Sequence, residues 1–166
     1  MKIYRKLEFL TSLLMLLFTL VVSVWAYDNW VSLSFFVGDL FFVHWLGLAA
    51  TVFIAVMVPV YAVLKRKSPK HIKKLLRIHV FGNLFSFLLI SIHFAQHTGR
   101  LVWVPSRLED GLALFLILSI IVATGMIEKF GAKLKLVRYL KFVHSYAVVI
   151  FYLVLSFHML QALNII

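Results

Sequence analysis

Residues 75–97 read LLRIHVFGNLFSFLLISIHFAQH, and this stretch decides the fold. It is one apolar run, with none of the period-two alternation that a membrane β-barrel strand requires. Crossing the hydrocarbon core of a bilayer takes about 20 mainly apolar residues in a helix. The stretch therefore predicts a membrane-spanning α-helix, and it carries two histidines, His79 and His93. Polar side chains at membrane depth are costly and are usually functional.

Outward from this segment the same reading repeats. Further spans are expected at about 7–27, 40–64, 109–128 and 139–163, which makes five in all. Composition agrees: 63% of the 166 residues are hydrophobic and 14% are charged. Soluble domains are roughly 45–50% apolar and about 25% charged. The first span follows Lys2, Arg5 and Lys6 as a signal peptide would. Its apolar run is too long for one and no small-residue cleavage site follows, so a retained helix is expected. Ser68-Pro69 predicts a capped start ahead of span three, and Ser106 with Glu109 has capping-box spacing before span four. Pro59 falls inside span two, where it can kink the helix. The expected fold class is all-α: a polytopic membrane protein whose five transmembrane helices form a bundle in a single membrane domain, residues 1–166.

The net charge of +11 then acquires a location. Fifteen of the seventeen Lys and Arg residues precede span one or lie in the connections two–three and four–five and the first residues of the spans that follow them. Such segregation is the positive-inside pattern, so a cytoplasmic N-terminus and an outer C-terminus are expected, most simply in the cytoplasmic membrane of a prokaryote. Short basic segments at helix ends suit anionic lipid headgroups, and a nucleic-acid partner is not expected. The chain has no cysteine, which excludes disulfides, thiolate metal centres and covalent c-type haem.

Span five carries His144 and His158, and each pair of histidines is separated by 14 residues. At about 100° and 1.5 Å per residue, 14 steps put both members near one helix face, about 21 Å apart along the axis. Spans three and five run in the same direction, so His79 is expected level with His144 on the inner side, and His93 with His158 on the outer side. Two imidazoles facing across a bundle suit the two axial positions of a haem iron. A tetrahedral zinc site needs four ligands, and a proton relay would more often include buried carboxylates; neither is supplied deep in these spans. The plain alternative is four unrelated buried histidines, each bonded to a carbonyl or polar neighbour.

A second echo accompanies the pairing. Ser91-Ile92-His93-Phe94-Ala95-Gln96 and Ser156-Phe157-His158-Met159-Leu160-Gln161 share the form Ser-x-His-x-x-Gln. Gln96 and Gln161 lie on nearly the same face as the outer histidines. They could bond a haem propionate or a water, or be ordinary interfacial residues. Gly82 could leave room for a flat macrocycle or serve helix packing. Arg77, Arg138 and Lys141 near the inner histidines, and Arg100 after His93, are candidate propionate partners. His71 is expected in solvent. His44 and His97 could contact an outer haem or a quinone, or sit at the interface, and His93 with His97 has metal-binding i, i+4 spacing.

Two helices of parallel direction, one helix apart, each bearing two histidines about four turns apart, resemble the dihaem b-type membrane cytochromes. Ligands on spans three and five are similar to the ferric reductase-like transmembrane domain of metalloreductases and NADPH oxidases. The haem-binding half of quinol-oxidising cytochrome b is the near relative in pattern. The resemblance covers about residue 40 onward and implies two haem b groups, His79 with His144 and His93 with His158 as axial ligands, and transmembrane electron transfer. The sixth helix, the flavin and nicotinamide domain and any Gly-rich nucleotide motif of the ferric reductases have no counterpart here. Redox partner subunits, a quinone, or both are thus expected to supply and accept electrons within a hetero-oligomeric complex, with no catalytic residues in the chain itself. Two other classes remain at this point: a haem-free membrane anchor or assembly subunit, and a small transporter.

Overall fold

A computed structural model of the chain describes residues 2–28, 30, 33, 35–99, 108–131 and 136–162. Five helices dominate: α1 (Lys2–Tyr27), α2 (Phe42–Lys67), α3 (Ile72–Thr98), α4 (Leu108–Phe130) and α5 (Val137–Ala162). All five are long and apolar enough to cross a membrane, as expected of an integral membrane protein. A short antiparallel hairpin, β1 (Phe36–Val37) and β2 (Leu40–Phe41), joins α1 to α2.

The helices outrun the apolar spans at their basic ends. Helix α2 continues through Pro59 and ends on Lys65, Arg66 and Lys67, whose charges complement the negative end of the helix dipole. Its start lies later than residue 40, because Leu40 and Phe41 belong to the hairpin. Gly38 provides the reason: its φ of 62° is a left-handed turn conformation that a helix cannot contain. Ser68 makes no side-chain capping bond; a single 3-10 turn over Pro69–His71 leads into α3 instead. Ser106 lies outside the described residues.

Contacts divide the chain into two compact units, Met1–Arg100 and Leu101–Ile166. In the first, α3 packs against both α1 and α2. The side of α2 toward α3 carries Val43, Gly47, Ala50 and Ile54, mostly small and all buried. Small residues let membrane helices approach closely where no hydrophobic gain drives association. On α1 the buried Ser12 and Thr19 bond back to the carbonyls of Glu8 and Met15, so their hydroxyls are satisfied within the helix. Ala26, Ile92 and Ala95 form the tightest apolar cluster, with Val22, Leu33, Leu46 and Leu88 around it. In the second unit α4 and α5 form an antiparallel pair with Leu114, Leu118, Thr124, Ala147, Phe151 and Leu155 buried.

Candidate functional site: four histidines on α3 and α5

All four histidines of the two equal-spaced pairs are half-buried. In the first unit, His93 turns toward α2. Its Nδ1 lies 3.0 Å from the Val43 carbonyl oxygen. A carbonyl can only accept, so this bond needs the proton on Nδ1 and leaves the lone pair on Nε2. The ring rests in a notch at Gly47, one turn further along α2, where an added Cβ would come 3.1 Å from Cγ and Nδ1.

The second unit repeats the device. His144 turns toward α4 with its Nδ1 3.1 Å from the Ile121 carbonyl oxygen. Its ring abuts Gly125, where an added Cβ would come 3.2 Å from Cε1. In both units the accepting carbonyl and the glycine are four residues apart on the neighbouring helix. His144 has a second acceptor as well. The Thr124 hydroxyl donates to the Ile120 carbonyl at 2.7 Å and presents its oxygen 3.1 Å from Nδ1. Metal-bound histidines commonly donate their other ring N–H to a carbonyl in this way, which fixes tautomer and ring orientation.

The other two histidines are held differently. His79 stacks on Tyr61 of α2, with ring centroids 4.4 Å apart and planes 19° from parallel. The Asn83 amide nitrogen lies 3.2 Å from its Nδ1 and 3.4 Å from its Nε2. His158 is half-buried on α5. Around His93 stand two further rings: His44 edge-on at 5.4 Å, and His97 parallel at 6.2 Å. The His44 Nδ1 is buried with no hydrogen-bond partner among the described residues. His71 is exposed, as expected. No group of three or more His, Asp or Glu side chains among the described residues is arranged to hold a metal ion.

The neighbouring candidates are placed as follows. Gln96 is 1% exposed and donates to the Ala26 carbonyl at 2.6 Å, tying α3 to the end of α1. Neither the propionate nor the interfacial reading anticipated that task. Gln161 is half-buried near the end of α5. The space beside Gly82 is taken by the Phe53 ring of α2, which is the packing use of a small residue. Arg77 is ion-paired with Glu8 of α1, and Lys141 lies 3.9 Å from Glu128 of α4. Arg138 is exposed, and Arg100 lies outside the described residues. Ser91 and Ser156, the first members of the Ser-x-His-x-x-Gln repeat, bond the carbonyls four residues before them, Phe87 and Tyr152.

Sequence reasoning missed the two carbonyls, Gly47, Gly125 and Thr124, and also the carboxylates Glu8 and Glu128. The one available signal was a glycine in the helix before each histidine-bearing helix, and it could not be used without the helix register. Comparison of the chain with models of known protein families, with curated proteins and with solved structures finds no match.

Proposed function

We propose that this chain is a transmembrane electron-transfer subunit holding two bis-histidine b-type haems. His79 and His144 would hold the inner haem, and His93 and His158 the outer one. The observation that carries the reading is the matched anchoring of His93 and His144, each with Nδ1 committed to a main-chain carbonyl, as metal-bound histidines commonly are. A low-spin haem so bound takes up and gives up one electron at its iron. The chain's own contribution would be to supply and orient the axial rings, which tune the potential. Electrons would come from, and go to, partner subunits or a quinone in a hetero-oligomeric complex. The proposed orientation puts the basic helix ends and the N-terminus in the cytoplasm, and the C-terminus outside a prokaryotic cytoplasmic membrane.

The rival is a haem-free anchor or assembly subunit. One observation favours it: both nitrogens of His79 lie within reach of Asn83, so that ring has a structural partner without haem. A reduced-minus-oxidised spectrum of purified protein, with pyridine haemochrome quantification, separates the two. Two b haems per chain, with loss of haem on replacing His79 or His158, is the expected result. Colourless protein that tolerates all four replacements defeats it.

A further inference from the structure

The hairpin between α1 and α2 has an unusual surface. From Phe35 to Val43 the only charged side chain is Asp39. Phe36 is 65% exposed, and Phe35, Val37 and Leu40 are exposed as well. The nearby Trp30 and Trp45 also stand open. A two-stranded hairpin is marginal in water, and this one presents apolar side chains on both faces: Phe36 with Phe41 on one, Val37 with Leu40 on the other. Yet it is firmly seated. The Trp45 indole N–H donates to the Val37 carbonyl at 2.9 Å, the Phe42 amide to the Phe35 carbonyl at 2.9 Å, and Phe35 stacks on Phe42 at 4.9 Å.

We propose that this hairpin is an interfacial anchor, embedded among lipid headgroups and upper acyl chains at the end of the first unit away from its basic helix ends. Lipid is the occupant because β2 runs into α2 without an intervening residue, so its apolar surface is continuous with that of a membrane-spanning helix. A protein-binding surface would carry a polar rim, and here there is one carboxylate. Aromatic rings that lie at headgroup depth are the usual means of fixing a helix end at the membrane surface. The hairpin would set the depth of the first turn of α2, and with it the Val43 carbonyl that holds His93. Asp39, in the turn, would point to water.

Because the chain has no cysteine, single labels can be placed without background. Phe36→Cys, Asp39→Cys and Leu40→Cys variants of the full chain, nitroxide-labelled in phosphatidylcholine vesicles, report depth through collision with oxygen or with a water-soluble nickel chelate. Labels at 36 and 40 should respond several-fold more to oxygen, and the label at 39 more to nickel. Nickel-dominated relaxation at 36 and 40 would overturn the proposal in favour of a water-exposed loop. Shielding of both from both colliders would overturn it in favour of a protein cover. A Trp25→Phe/Trp103→Phe variant, with the hairpin intact, provides a second measurement. Bromine near the headgroup end of the acyl chain should quench Trp30 and Trp45 more than bromine near the methyl end, and the reverse order also overturns it. Neither measurement depends on haem.

Discussion

The two units hold the histidines of α3 and of α5 in unequal ways, and the inequality is regular. In the first unit His93 is locked to a carbonyl beside a glycine, while His79 lies against Tyr61 and Asn83. In the second unit His144 is locked in the same manner, while His158 is half-buried further along α5. The units differ more sharply at their glutamines. Gln96 is buried and ties two helices together, whereas Gln161 in the same repeat is only half-buried near the end of α5.

The largest effect should come from filling the notches. Gly47→Leu and Gly125→Leu would each push an imidazole off its carbonyl and remove about half of the bound haem, as quantified by pyridine haemochrome. If either variant keeps both haems, the likeness between the two notches has no functional meaning. Next comes the contrast between the glutamines. Gln96→Leu strands the buried Ala26 carbonyl and should cost about 1–3 kcal/mol in unfolding from detergent. Gln161→Leu should change stability by no more than about 0.5 kcal/mol, and equal losses would erase the distinction.

Thr124 gives a finer test, because its hydroxyl is a second acceptor for His144. Accepting from Nδ1–H makes the imidazole more electron-rich and favours the oxidised iron. Thr124→Val should therefore raise the midpoint potential of one haem by roughly 40 mV, which is about 1 kcal/mol for a one-electron couple, and leave the other unchanged. Potentiometric titration followed optically reads this directly. The smallest effects belong to the ion pairs. Glu8→Gln and Glu128→Gln should each cost at most about 1 kcal/mol, since Arg77 and Lys141 are largely solvent-exposed, and 3.9 Å is a loose contact for the second. Melting curves of the two variants should lie close to that of the parent protein.

Much of the fold was legible in the chain. Residues 75–97 could only be a helix, and the other four spans follow from the same length and apolarity, because a bilayer leaves no water to satisfy an open backbone. The hairpin was not legible: Leu40 and Phe41 read as the start of the second span, and the positive φ of Gly38 places them in a turned-back strand instead. The candidate histidines were found by spacing alone. The atoms that orient them were not, because two of those atoms are main-chain carbonyls, which every residue possesses and no sequence pattern marks. Local sequence shows the charges of Arg77 and Lys141 but not the carboxylates they meet on neighbouring helices, Glu8 and Glu128.

What the sequence by itself determined is the number of spans, the segregation of fifteen of seventeen cations and the 14-residue interval within each histidine pair. These depend on hydrophobicity, charge and helical period, which act along the chain. Only the tertiary structure decided that Gly47 and Gly125 open notches for imidazoles, that Gln96 is a buried tie and that Glu8 occupies Arg77. Those assignments depend on the register between helices, a property of packed surfaces that no single helix carries in its own residues.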